Sequence, residues 1–243
     1  MNNRKQISTK RKSQGLFIFW ALGPIVLLYM ILRIIPIFQT FYLSFHEWDL
    51  ISKVQPWVGL DNFRSLLSDS DFLVSLKNTV IFSLGSAIPC IILALLLALV
   101  VNSKKIWGAS GLQAVFFVPV IVSMVPISII WKWIYDPMYG ILNYILSIFG
   151  MPSVGWLIYP NVAIWALIIM NVWKNLGYNI VLLMVGLRNI SPVYYEAASI
   201  DGAYGWKKFQ YITWPLLKPM ILYVLVTSTI NAFNVFTQVY VMT

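Results

Sequence analysis

The sequence predicts an all-α protein that crosses a membrane several times, and three observations lead there. Of its residues 60% are hydrophobic and only 10% charged, with a mean hydropathy of +0.79. A soluble domain averages nearer half apolar and a quarter charged, so this chain needs a bilayer as solvent for much of its surface. Second, five apolar runs reach the roughly 20 residues a spanning helix requires. Third, the Lys and Arg residues outnumber the acidic ones 17 to 8 and most of them sit in short segments between or at the ends of those runs. That distribution is how membrane topology is encoded, and it removes nucleic-acid binding as the meaning of the +9 net charge.

The first run, residues 16–38, follows a basic arm (residues 1–15) carrying Arg4, Lys5, Lys10, Arg11 and Lys12. It is longer than the apolar stretch of a secretory signal, and no small-residue cleavage site follows, so it reads as an uncleaved anchor. Residues 46–72 form a polar loop rich in turn residues. Within it Asp61 reads as the cap of a short amphipathic helix with Phe63, Leu66 and Leu67 on one side. The second run, residues 76–101, contains Gly85, Ser86 and Ala87, small residues that suit close helix packing. It also holds Cys90, the sole cysteine, which excludes an internal disulfide. The remaining runs are 112–134, 162–187 and 215–240.

Loop charge orients the chain. The arm, the turn with Lys104 and Lys105, and the loop with Arg188, Lys207, Lys208 and Lys218 hold eleven basic residues (5 + 2 + 4). The opposite segments hold four: Lys53, Arg64, Lys77 and Lys132, together with Glu47, Asp49, Asp61, Asp69, Asp71 and Asp136. The N-terminus is therefore expected in the cytoplasm and the 46–72 loop outside. Five spans leave the end of the sequence outside, so a sixth span is expected beyond Thr243.

The most informative segment is the inner loop 188–214, which contains SPVYYEAASIDGAYGWKKF from Ser191 to Phe209. Ser191 suits a helix N-cap and Pro192 the first helical position, where no amide hydrogen is needed. Gly202 suits the left-handed residue that ends the helix. A second helix is expected from about Ala203 into the fifth run. Two helices joined at a glycine make a compact protrusion, whose Ala197 and Ala198 permit close approach while Glu196 and Asp201 offer acceptors.

The Glu196-Ala-Ala pattern, with Gly202 and then Phe209, Ile212, Pro215 and Pro219, closely resembles the EAA loop of ABC importer permeases. Further stretches resemble the sugar branch of that family, specifically the first permease of maltose-type systems. They are Trp57-Val-Gly-Leu-Asp-Asn-Phe, Lys77-Asn-Thr, Trp131-Lys-Trp with Gly140 and Asn143, and the stretch from Phe236 to Thr243. The resemblance implies a type I ABC importer-like permease in a bacterial or archaeal cell membrane. It implies a second permease subunit, two ATPase subunits and an extracytoplasmic solute-binding protein as partners. It also implies that Glu196, Ala197, Ala198, Asp201 and Gly202 form a coupling helix that docks on the ATPase. ATP and Mg would then belong to the partner, since this chain has no Gly-x-x-x-x-Gly-Lys-Ser/Thr segment. No metal ligand set or catalytic triad appears in the sequence either, and the lone histidine, His46, reads as interfacial.

Candidate pathway residues come from polar spacing inside the spans. Asn171, Lys174, Asn175 and Tyr178 share one helical face, as do Thr227, Asn231, Asn234 and Gln238. Amides, a phenol and an ammonium suit sugar hydroxyls, with Tyr178 or Trp173 available to stack on an apolar ring face. The competing reading is interhelical hydrogen bonding, which membrane bundles use widely. Two other functions leave weaker traces. An ion-coupled secondary transporter would carry intramembrane carboxylates, and the five runs have none. A scaffold for a membrane enzyme would bring down no ATPase. Within the importer class, a non-sugar cargo such as a polyol phosphate remains the alternative.

Overall fold

The computed structural model describes residues 18, 20–49, 55–102 and 108–243. The basic arm, Lys53 and the Lys104–Lys105 turn lie outside the described residues. The fold is helical, with no strand among the described residues beyond one isolated bridge between His46 and Trp57. The chain divides into two compact units, Met1–Val74 and Ser75–Thr243.

In the first unit, α1 runs Trp20–Leu43, five residues past the end expected for the first run, and its apolar stretch is exposed along its length. It contains a wide π-helical turn at Met30–Ile34, just before Pro36. The proline ring would otherwise press on the carbonyl four residues earlier, so a wider turn at this point relieves the clash. Beyond α1 the chain folds back: the Glu47 amide donates to Pro56 O (3.0 Å) and the Val58 amide to Phe45 O (2.9 Å). Asn62 Nδ2 ties the same corner by donating to the carbonyls of Ser44 (3.0 Å) and His46 (2.9 Å). His46 is buried against Trp57, with Nδ1 2.9 Å from Tyr42 O. Helix α2, Asp61–Ser68, forms as expected, but Asp61 is its first residue and not its cap; Leu60 holds the cap position. The Asp61 carboxylate instead pairs with Arg64 at 3.0 Å, three residues along the same exposed face. Asp69 takes the capping role for the next helix, accepting from the amides of Asp71 (2.8 Å) and Phe72 (3.4 Å).

The other helices are α3 (Ser70–Val101), α4 (Ala109–Ile121), α5 (Met124–Ile134), α6 (Ile141–Ile148), α7 (Pro160–Arg188), α8 (Pro192–Ile200), α9 (Trp206–Phe233) and α10 (Thr237–Met242). Helices α1, α3, α7 and α9 are long and apolar enough to cross a membrane. The third apolar run does not form one straight span: it is bent by 102° between α4 and α5. Val122 and Ser123 are extended there, with ψ of 138° and 152°. Pro126 accounts for the break, because in a continuous helix it would offer no amide to Val122 O and its ring would collide with that carbonyl. The fifth run is also interrupted. Helix α9 stops at Phe233, where Asn234 Nδ2 donates to Ile230 O (2.9 Å) and so competes with the backbone for the last-turn carbonyl.

Helix α7 is the axis of the second unit. Its first half packs Ala166, Leu167, Ile168 and Met170 with Phe82, Ile127, Tyr135 and Ala232. Its second half packs Leu176, Ile180, Leu183 and Met184 with Cys90, Ala94, Ala98, Leu217 and Val224. Close approach is built in where side chains are missing. A Cβ on Gly177 would collide with Phe116 O of α4, and one on Gly85 of α3 would lie 2.8 Å from Ile168 Cδ1. Tyr135 OH donates to Ala166 O at 2.8 Å, fastening the end of α5 to α7. Asn143 organises the connection that follows: its Nδ2 donates to Val154 O (3.0 Å), and its Oδ1 accepts from the Val154 amide (3.0 Å) and Trp156 Nε1 (3.1 Å).

Candidate functional site

Between the two apolar clusters α7 turns polar, and there the structure holds a cavity of about 250 Å³. Helix α7 contributes Asn171, Asn175, Tyr178 and Asn179, and α9 contributes Thr227, Ser228 and Asn231. Asn234 follows α9, Thr237 and Gln238 come from α10, Ser86 and Cys90 from α3, and Met124 from the first turn of α5. Asn179, Gln238, Ser86 and Cys90 are buried and form the closed side, while Tyr178, Asn231 and Asn234 are exposed at its rim.

The hydrogen bonds within this wall leave capacity unused. Asn175 Nδ2 donates to Asn171 O (2.9 Å) and Asn171 Oδ1 (3.1 Å). Asn179 Nδ2 donates to Cys90 Sγ (3.2 Å) and Ser228 Oγ (3.4 Å). An amide has two donors and an acceptor with two lone pairs, so each retains groups for a ligand. Ser86 is the sharper case. Hydroxyls on spanning helices commonly bond back to the carbonyl four residues earlier, as Thr79, Ser128 and Thr227 do here at 2.8 Å each. The buried Ser86 hydroxyl finds no partner among the described residues.

Seven of the eight polar residues grouped from the sequence line this cavity; the exception is Lys174. Its Nζ turns to α4 and donates to the carbonyls of Pro119 (3.1 Å) and Val122 (2.8 Å). Trp173, offered for stacking, packs edge-on against Trp131 and is not in the wall. Asn231 and Gln238 meet at the cavity from two separate helices, so their regular spacing does not reflect one continuous face. Sequence reasoning missed Asn179, although it lies four residues beyond Asn175 on the same face. It also read Ser86 and Ala87 as packing residues; both are buried and both line the cavity, while a Cβ on the neighbouring Gly85 would press on Ile168 of α7.

The α8 loop has the predicted local geometry. Ser191 is extended (ψ 132°) before Pro192 at the first helical position, though its hydroxyl makes no capping bond. Gly202 is left-handed at φ +76°, and the Ala203 amide reaches back to Ala198 O at 2.8 Å, closing the helix in a Schellman arrangement. The next helix starts at Trp206, later than expected, because Gly205 adopts φ +49° and ψ −113°, a conformation open essentially to glycine alone. Helix α8 has no buried residue, and Glu196, Ala197, Asp201 and Gly202 are all exposed, with Ala198 half-buried. Two side-chain bonds clip α8 to the start of α9: Tyr195 OH with Thr213 Oγ1 at 2.9 Å, and Lys208 Nζ donating to Ser199 Oγ. Thr213 closes a second π-helical turn, Phe209–Thr213, which precedes Pro215 as the first precedes Pro36.

Residues 74–243 match the family described as binding-protein-dependent transport system inner membrane component. The trehalose/maltose transport system permease protein MalF of Thermococcus litoralis is 37% identical over 220 residues, covering 90% of this chain and 74% of MalF. The sn-glycerol-3-phosphate transport system permease protein UgpA of Agrobacterium fabrum is 35% identical over 213 residues, covering 87% of this chain and 71% of UgpA. Among solved structures, a chain of a bacterial ABC transporter involved in the import of the acidic polysaccharide alginate superposes with a TM-score of 0.79. That match covers 96% of this chain and 79% of the other, at 25% identity. A family match running from residue 74 to Thr243, with a relative 37% identical over nearly three quarters of its own length, places this chain among the inner-membrane permease components of binding-protein-dependent transport systems.

Proposed function

We propose that the chain is one transmembrane permease of an ATP-driven importer for a sugar or oligosaccharide, and that the α7–α9–α10 cavity is where the cargo passes. The observation that carries this reading is the band of amides and hydroxyls between two apolar clusters on α7. Polar side chains at membrane depth are costly and usually face a water-filled path. Asn171, Asn175, Tyr178, Asn231, Asn234 and Gln238 present donors and acceptors without charge, which suits neutral hydroxyls. The 250 Å³ volume is near the lower end of ligand pockets, and the wall is open on the Tyr178 and Asn231 side. A second permease closing that side would complete the chamber.

The partners follow from the same reading. An extracytoplasmic solute-binding protein delivers cargo, and two ATPase subunits hold ATP and Mg, since this chain carries no phosphate-binding loop. The exposed α8 helix, from Glu196 to Gly202, docks on one ATPase, and the Tyr195–Thr213 and Ser199–Lys208 clips pass its displacement to α9. Loop charge supports a cytoplasmic N-terminus and basic arm, an outer 46–72 loop and an inner 188–214 loop in a bacterial or archaeal cell membrane. Residues 16–243 then make up the permease domain.

Glycerol-3-phosphate is the cargo named for one relative, so a polyol phosphate is the second reading. A phosphate dianion calls for Arg or Lys, and among the described residues neither lines this cavity, which favours neutral carbohydrate. The test is uptake into lipid vesicles by the chain co-purified with its partners. ATP-dependent accumulation of a neutral oligosaccharide is expected, and accumulation of a polyol phosphate alone would replace this cargo assignment.

A further inference from the structure

The break between α4 and α5 leaves helix-end carbonyls without backbone donors at membrane depth. The last four carbonyls of any helix lack an intrahelical partner, and in hydrocarbon no water is at hand to satisfy them. Val122 O is doubly deprived, because the residue that would donate to it in a continuous helix is Pro126. Lys174, reaching across from α7, donates to Val122 O at 2.8 Å and to Pro119 O at 3.1 Å. Its positive charge also faces the negative end of the α4 dipole. No Asp or Glu occurs in α4, α5 or α7, so helix carbonyls and not a carboxylate answer the ammonium.

In ion-coupled transporters, the C-terminal ends and unwound carbonyls of broken helices surround a bound cation. We propose that Lys174 is the tethered cation of this break: its ammonium fills a monovalent-cation site made by the Pro119 and Val122 carbonyls, and by doing so fixes the angle between α4 and α5. Lys174 is thus a positioning residue. It locks α4 to α7 one turn from the Gly177–Phe116 contact, and α5, on the far side of the break, starts at Met124 in the cavity wall. A break held this way keeps the cavity's edge in register without a diffusible ion, whatever the cavity carries.

The test reads the hinge and not transport. Spin labels at Ile121→Cys and Trp133→Cys, both more than 70% exposed, bracket the break in the full chain reconstituted in lipid, with Cys90→Ala removing the native thiol. With Lys174, and with Lys174→Arg, one narrow distance distribution is expected. Lys174→Met, similar in length but without charge or donors, should broaden or shift it. Lys174→Ala should do the same and return to the narrow distribution on addition of methylammonium or sodium ions, which reoccupy the vacated site. Should Lys174→Met fail to fold, the Ala and Arg variants decide, with recovery of folded yield by methylammonium as the readout. An unchanged distribution in Lys174→Met, disruption in Lys174→Arg, or a Lys174→Ala hinge that neither cation restores would each overturn the assignment. Because the readout needs no cargo or ATPase, it stands or falls separately from the importer reading.

Discussion

The cavity and the α8 loop differ in nearly every physical respect, although the proposed cycle needs both. The cavity is assembled from residues up to about 150 positions apart on five helices, and its closed side is buried. The α8 loop is contiguous, has no buried residue, and takes its shape from a proline, a left-handed glycine and two side-chain clips. A cavity built from many separate contacts should lose function in small steps. A docking element whose geometry depends on one backbone angle should fail all at once.

The largest expected effect therefore lies in the loop. Gly202→Pro cannot adopt φ +76°, since proline holds φ near −65°. It should abolish transport while membrane insertion stays normal, as measured by uptake and by membrane fractionation. Glu196→Lys should do the same by reversing the charge of an exposed acceptor. Normal uptake in either variant at normal expression would remove α8 from the coupling role.

Intermediate effects belong to the rim. Replacing Asn231 or Asn234 by Leu should cut uptake about five-fold each, because one lost hydrogen bond is worth about 1 kcal/mol. Variants that lose assembly while the surviving protein transports normally would mark these amides as packing contacts. Ser86→Leu should reduce uptake by filling the closed side of the cavity, whereas Ser86→Ala should change mainly the preference among cargoes. Thr227→Val should have the smallest effect, because its hydroxyl is already taken up by Tyr223 O and Val224 O.

The same contrast explains what could be read from the sequence. The α8 loop was legible because its signals are local: Pro192 at the first helical position and Gly202 at the end act within a few residues. Asn171, Asn175 and Tyr178 were legible because helical spacing puts them on one face, and α7 is long enough to keep that phase, whereas the spacing of Asn231, Asn234 and Gln238 runs across the end of α9. The α4–α5 break was not, since Pro119 and Pro126 occur in a run whose hydropathy still reads as a single span, and prolines are tolerated in spanning helices. The position of Lys174 outside the cavity wall was hidden for a related reason. Its phase matched the polar face, but its long side chain reaches sideways to carbonyls that only the break exposes. Ser86 was hidden because a lone serine beside Gly85 and Ala87 has the same appearance whether it packs or binds. The Tyr195–Thr213 clip joins residues on different helices, and no periodic signal announces such a pair.

A direct check on the frame of the comparison is topology. A membrane-impermeant thiol reagent should label Ser68→Cys from outside and Ser103→Cys only from inside, in a background lacking Cys90. The reverse pattern would exchange the two sides and put the α8 loop away from any cytoplasmic ATPase.

Passage of cargo through the cavity is tested by ATP-driven oligosaccharide uptake in the fully assembled transporter, comparing the native chain with Asn231→Leu plus Asn234→Leu, and following ATP hydrolysis in parallel. The double variant is expected to assemble and to hydrolyse ATP at the basal native rate while uptake falls by more than either single change produces. Native uptake by an intact double variant would contradict it, and would move the path of the cargo out of this cavity.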